Sequence, residues 1–381
     1  ASTALAAVLY ARTGSAAWVS AALFVAFATP ALFSPLAGTL SDRLDRRQVL
    51  IASDLLGAAC FAAMALVTAP AALLALAFPA AVAASPFNPA SGAMVPALVL
   101  PERLPWANAR LAVARNVGVL VGPLVGGLLV AVASGAVAFS VNAASFAVSA
   151  ALIATLRGSF RVSAGASGDA IAGAASPEPK ASGIGEGFRL ILREPTLRAL
   201  TLGFVLVDLG TGMVMPADPA LAHLFGAGPT GYGAMVALWG GGGVVAARFA
   251  TAALGRRSEP VVIVGSAIVL AFSYALTAVA PWFGLVLLAF AAGGASMGLA
   301  GIAEDLLLQR RTSDDVRGRV FAAHMAAVQL SLATPLLLSG FVVNALGPRA
   351  VLGIGAGLAS CGVLALAALL RRRAASAAVR A

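Results

Sequence analysis

Gly38-Thr39-Leu40-Ser41-Asp42-Arg43-Leu44-Asp45-Arg46-Arg47 separates two long apolar runs. Ala16 to Ala37 before it carries no charge, and Val49 to Ala77 after it carries only Asp54. As helices, runs of that length cross the ~30 Å hydrocarbon core of a bilayer. A charge-dense turn between them is a loop held at a membrane surface, and its three arginines mark that surface as cytoplasmic. The stretch thereby sets the class: an all-α integral membrane protein whose orientation is written in its loops.

Composition agrees. Hydrophobic residues make up 60% of the chain and charged residues 10%, against about 45–50% and about 25% in soluble domains. A net charge of +10 would suit a nucleic-acid partner if the basic residues lined one face. They sit instead in short clusters between apolar runs, so the charge reports topology and no nucleic acid is expected. Cys60 and Cys361 lie inside apolar runs and, with two histidines at unrelated positions, make neither a disulfide framework nor a metal site. No cofactor is implied.

Working outward from the loop, apolar runs and loop signals define one partial and eleven full spans. They are 1–11 (partial), 16–37, 48–69, 71–94, 109–133, 136–156, 197–220, 232–254, 261–280, 282–308, 320–346 and 350–370. Alternating spans put 22 of the 25 basic residues on the loop's side, leaving Arg12 and Arg349 opposite and Arg248 within a span. That asymmetry leaves little room for the inverted topology. The first run ends near Tyr10, and ten helical residues reach only ~15 Å, so the chain is expected to begin inside its first span. No basic segment precedes that run, which argues against a signal peptide.

The polar segment from Arg157 to Pro195, with its Gly-Ala-Ser stretches, Pro177 and Pro179, splits the spans six and six. The expected organisation is an N-terminal six-helix bundle over 1–156 with its first span truncated, a cytoplasmic linker over 157–195, a C-terminal six-helix bundle over 196–372 and a cytoplasmic tail over 373–381. The halves echo one another. Pro101-Glu102-Arg103 followed by Arg115 and Pro123 parallels Asp314-Asp315-Val316-Arg317 followed by Arg319 and Pro335, the kind of internal duplication that transporters use.

Gly38-x-Leu40-Ser41-Asp42-Arg43-x-x-Arg46-Arg47, between the second and third of twelve spans, resembles the signature loop of the major facilitator superfamily. Phe87-Asn88-Pro89-Ala90, Pro101-Glu102-Arg103, Ala107-Asn108-Ala109 and Gln309-Arg310-Arg311 through Arg317-Gly318-Arg319-Val320 resemble the branch that contains bacterial siderophore and macrolide exporters. One departure is Asp45 where the common pattern has glycine, which makes the turn less permissive of positive φ. The resemblance implies a fold of two six-helix bundles about a central cavity. It also implies a cytoplasmic gate formed by Gly38, Asp42, Arg43, Arg46 and Arg47 with Arg317 and Arg319 at the start of the eleventh span, where Asp42 caps a helix N-terminus. The competing reading is that these arginines only enforce topology.

In the fifth span, Gly118-x-x-x-Gly122-Pro123-x-x-Gly126-Gly127 presents small residues every four positions, a flat face for close packing with a proline that favours a bend. It resembles the antiporter motif of drug-exporting members of the superfamily and so points towards export.

Charge inside a span is the remaining clue, because an acid in hydrocarbon costs several kcal/mol and marks an ion or substrate path. Asp208 lies in the middle of the seventh span and Glu304 and Asp305 in the cytoplasmic half of the tenth. These are the candidate proton-coupling residues; the plain alternative is a helix-to-helix hydrogen bond. Asp305 cannot face the same way as Glu304. Asp54 and Arg248, near cytoplasmic ends, are expected to pair or snorkel. His324 is either a coupling group or a hydrogen-bonded packing residue. Asn142, Trp239, Tyr274, His324 and Gln329 are possible cavity residues, and Gly240 to Gly243 makes the eighth span bendable or tightly packed.

The expected function is secondary active export of small molecules, drug-like or siderophore-like, by a monomer in the cell membrane. Alternating access and protons as the coupling ion would drive it. A facilitated importer, or a non-transporting lipid- or partner-binding membrane protein, remains the alternative. An enzyme is least supported, since no nucleophile–base set or phosphate loop appears.

Overall fold

A computed structural model of the chain describes residues 2–43, 45–156 and 181–378. Every regular element among them is helical. Contacts divide the chain into two compact units, Ala1–Ser176 and Pro177–Ala381.

The first unit holds α1 (Ser2–Thr13), α2 (Ala16–Arg43), α3 (Arg46–Leu66), α4 (Pro70–Ala84), α5 (Phe87–Leu98), α6 (Leu104–Val132) and α7 (Gly135–Thr155). The fourth span is thus two helices. Pro86 has no N–H to donate and breaks the ladder, while the Ser85 hydroxyl turns back to the Ala81 carbonyl at 3.0 Å. Packing centres on α3 against α7. Gly57 leaves room for the Phe146 ring, which stacks on Phe61 with centroids 5.7 Å apart, and Leu5, Leu9, Met64, Leu73 and Phe139 fill the core around them.

The second unit begins with α8 (Ala181–Arg193), then α9 (Pro195–Val214), a 3-10 turn at Met215–Ala217 and α10 (Asp218–Leu224). It continues with α11 (Gly228–Arg256), α12 (Glu259–Val279), α13 (Phe283–Arg311), α14 (Asp314–Ala333), a 3-10 turn at Thr334–Leu337, α15 (Ser339–Leu346) and α16 (Pro348–Ala378). Prolines again mark the interruptions, Pro216 in the seventh span and Pro335 in the eleventh. α15 ends at Gly347, whose φ of +83° returns its N–H to the Val343 carbonyl at 2.8 Å.

α8 lies inside the segment read from sequence as linker. Ile184, Phe188 and Ile191 recur at helical spacing while Glu186, Arg189 and Arg193 take other faces. Its inner face packs on α14 so closely that a Cβ on Gly187 would stand 2.1 Å from the Arg319 carbonyl oxygen.

The glycine run of the eighth span turns out to be tightly packed. A Cβ on Gly242 would meet the Ala291 carbonyl at 2.2 Å, and one on Gly294 the Trp239 carbonyl at 1.9 Å, so α11 and α13 touch backbone to backbone. Outward-facing side chains are apolar, among them Phe272 at 64% and Leu288 at 63% exposure. A surface of that kind belongs in hydrocarbon rather than water. Among the described residues, eight helices are long and apolar enough to cross a membrane, and Ala16–Pro30, Pro70–Ala84 and Leu120–Val132 are shorter apolar helices.

Candidate functional site

The second unit gathers its polar groups on α9. Asp208 is 2% exposed, and its Oδ1 has no hydrogen-bond partner among the described residues. Glu304, on α13, lies within electrostatic reach of it. Glu304 in turn contacts Nε2 of His324 on α14, and the other ring nitrogen, Nδ1, lies 2.9 Å from the Thr201 hydroxyl on α9. His324 is fully buried, with the Phe204 ring edge-on at 6.2 Å. Three helices are therefore tied by one hydroxyl–imidazole–carboxylate chain. With Glu304 ionised, Nε2 donates to it; a protonated ring donates at both ends, so the chain can hold an extra proton without breaking.

A second polar link lies one turn along α9. The Tyr274 hydroxyl donates to Thr211 Oγ1 at 2.9 Å, and Thr211 donates to the Val207 carbonyl at 3.1 Å. Tyr274 stacks on Trp239 with centroids 6.2 Å apart and planes 5° off parallel, and Phe290 meets Trp239 edge-on at 6.0 Å. Gly293 makes room for the Trp239 ring. Three of the residues suggested as cavity-lining, Trp239, Tyr274 and His324, thus join the same polar and aromatic interior. Gln329 is exposed on α14, and Asp305, one position round α13 from Glu304, is exposed.

In the first unit Asn142 is half-buried, with Nδ2 lacking a partner among the described residues. Asp54 neither snorkels nor reaches an arginine: it is 1% exposed beside Ser149 on α7, and its Oδ2 has no hydrogen-bond partner among the described residues. Its place on the α7-facing side of α3 holds it inside, too far round the helix for its short side chain to reach the interface.

The signature loop carries more than topology. Asp45 caps α3, with φ −65° and Oδ1 accepting from the Arg47 N–H at 2.9 Å. That position needs no positive φ, so aspartate serves where the common pattern has glycine. The Arg47 guanidinium donates to the Ile153 and Ala154 carbonyls and closes the C-terminus of α7. Arg317 performs the matching task in the second unit, reaching the Thr312 carbonyl at 3.3 Å beyond the end of α13. Arg319 pairs with Glu186 on α8, and Arg46 is half-buried. Gly38, Asp42 and Arg43 lie outside the residues whose surroundings are described, so the gate they were read to form is not among the geometry here.

In α6, a Cβ on Gly126 would stand 3.6 Å from that of Ala4, whereas Gly118 and Gly122 have no described atom within 4 Å. Pro123 sits inside an unbroken helix and Gly127 is buried. The two basic residues on the minority side hold loops: Arg12 donates to the Thr68 carbonyl at 2.8 Å and Arg349 to the Ala280 carbonyl at 2.9 Å.

Among the buried polar residues that sequence reading passed over are Thr201, Thr211, Asp218 and Tyr232. Thr201 and Asp208 stand seven residues apart, two turns of one helix face, which is the signal that would have found the threonine.

Long apolar helices with polar groups buried among them are the architecture of a multi-pass membrane protein. The chain belongs to the Major Facilitator Superfamily, whose family model matches it over residues 1–207 and 200–381. A protein named multidrug efflux pump Tap from Mycobacterium tuberculosis is 29% identical over 364 residues, covering 89% of this chain and 82% of that protein. Its namesake from Mycolicibacterium fortuitum is 27% identical over 335 residues, 83% of this chain and 78% of that one. Among solved structures, the nucleoside transporter NupG in its D323A form superposes with a TM-score of 0.74 at 15% identity, over 96% of this chain and 94% of that chain. A bacterial homologue of the iron transporter ferroportin gives 0.73 at 14%, over 97% and 95%. At those identities the structural likeness concerns the fold.

Proposed function

We propose that the protein is a proton-coupled exporter of small molecules, acting as a monomer by alternating access, with its linker and C-terminus on the cytoplasmic side. The observation that carries the proton coupling is Asp208, buried with an unpartnered carboxyl oxygen beside the Glu304–His324–Thr201 chain. A neutral acid tolerates an apolar interior, whereas its ionised form favours water or a cation, so proton binding biases which side of the protein opens. Export as the direction is supported by the relatives named efflux pumps and by the Gly-Pro-x-x-Gly-Gly core of α6. The basic clusters support the orientation.

The test is ethidium transport by purified protein in phosphatidylethanolamine–phosphatidylglycerol vesicles, with an imposed pH gradient and with the gradient collapsed by a protonophore. Asp208→Asn and Glu304→Gln are expected to cut gradient-driven transport at least tenfold while the protein still runs as a single species on size exclusion. Unchanged gradient-driven transport in both variants would overturn the assignment.

A further inference from the structure

Asp218 is a buried acid that the coupling reading leaves unused. It stands at the start of α10 between Pro216 and Pro219, 8% exposed, and its Oδ1 has no hydrogen-bond partner among the described residues. An ionised carboxylate there is costly unless water or a cation reaches it, so its retention within a span needs a reason.

The helix supplies one. Thr201, Asp208 and Thr211 follow at intervals of seven and three residues, which at ~3.6 residues per turn confines them to about 80° of arc on α9, and Asp218 follows seven residues on, past the 3-10 turn at Met215–Ala217. All four are buried, so the seventh span carries a file of polar side chains within an otherwise apolar segment. Tyr274 stands beside this file: its hydroxyl donates to Thr211, and it lies within electrostatic range of both Asp208 and Asp218. Tyr232, fully buried on α11, also lies within reach of Asp218. The other titratable or charged groups nearby are His223 on α10, which is exposed, and Arg349 at the start of α16. Arg349 is turned to the Ala280 carbonyl and the Phe225 ring.

The inner end of this file is the Glu304–His324–Thr201 chain, on the side of the arginine clusters. The outer end is Asp218, one short helix away from the Phe225-Gly226 turn on the opposite face. A residue so placed can exchange protons with the outer face while Asp208 and Glu304 serve the inner one.

We propose that Asp218 is a second proton-binding residue of the transport cycle, loaded from the face opposite the arginine clusters and emptied along this file towards Asp208. The inference rests on the proton-coupled reading above. In the transfer the O–H bond of the Asp218 carboxylic acid breaks and a new one forms on the Asp208 carboxylate. Between them, water admitted along the file accepts one proton and releases another at each step, so only the two carboxyls change charge.

The same vesicles test it, with pyranine reporting proton movement and ethidium as the transported probe. In Asp218→Asn, gradient-driven ethidium transport should fall at least tenfold and lose its dependence on the pH of the outer face. Ethidium–ethidium exchange, which needs no net proton movement, should fall less than threefold. Asp218→Glu should restore the proton flux with a displaced pH profile. An Asp218→Asn protein with the wild-type pH profile and proton flux overturns the proposal while leaving the coupling reading intact. Loss of exchange and of a single size-exclusion peak in both variants overturns it in favour of a structural role. Wild-type transport indifferent to the gradient overturns both readings together.

Discussion

The two units differ in how many buried acids they hold and in what surrounds them. In the first, Asp54 is a single buried acid beside Ser149 on the neighbouring helix, its Oδ2 without a partner among the described residues, and around it the core is made of stacked phenylalanines and aliphatic side chains. In the second, Asp208, Asp218 and Glu304 share one interior with two tyrosines, two threonines and a histidine, drawn from α9, α10, α11, α12, α13 and α14. A single acid with a hydroxyl partner is a tolerated cost; several acids within reach of each other and short of partners are unfavourable unless protons or water move among them.

The helix contacts repeat the contrast and give the largest expected effect. Gly294→Val must push its side chain into the Trp239 carbonyl and part α11 from α13, a loss of ~3 kcal/mol by overpacking. Failure to purify as a single folded species is the expected result. Gly122→Val in α6 meets open space within its unit, so that variant should insert and purify normally. If the two behaved alike, the distinction between a packed and an open glycine face would fall.

A smaller effect separates the acids. Asp54→Asn keeps a hydrogen-bonding group beside Ser149, and gradient-driven ethidium transport should stay above half of wild type, in contrast to the tenfold loss at Asp208. A loss at Asp54 as deep as that at Asp208 would put coupling chemistry in both units. The smallest effect is at a helix end. Arg47→Gln removes a cation from the α7 C-terminus, worth ~1 kcal/mol, and should lower the melting temperature by a few degrees without moving the pH profile of transport.

Much of the fold was legible because hydrocarbon is an undemanding reader: a run of apolar residues between basic clusters has one stable reading in a bilayer. The interruptions at Ser85-Pro86, Pro216 and Pro335 were less so. A proline within a span can bend a helix or break it, and neighbouring helices decide which. α8 escaped because Gly183, Gly185 and Gly187 look like linker, whereas Gly187 is what lets the helix lie against the backbone of Arg319. Asp218 escaped because an acid near the end of a span reads as interfacial; only the close of α10 over it makes it buried.

By itself, then, the sequence determined that the chain spans a membrane many times and to which superfamily its signature loop belongs. Those properties depend on hydropathy and charge summed along the chain. Tertiary structure decided which polar residues meet. His324 lies 123 residues from Thr201 and 20 from Glu304, and no periodicity brings three such positions together. Their meeting depends on how α9, α13 and α14 are rotated about their axes, which glycine contacts and proline breaks set and hydropathy leaves open.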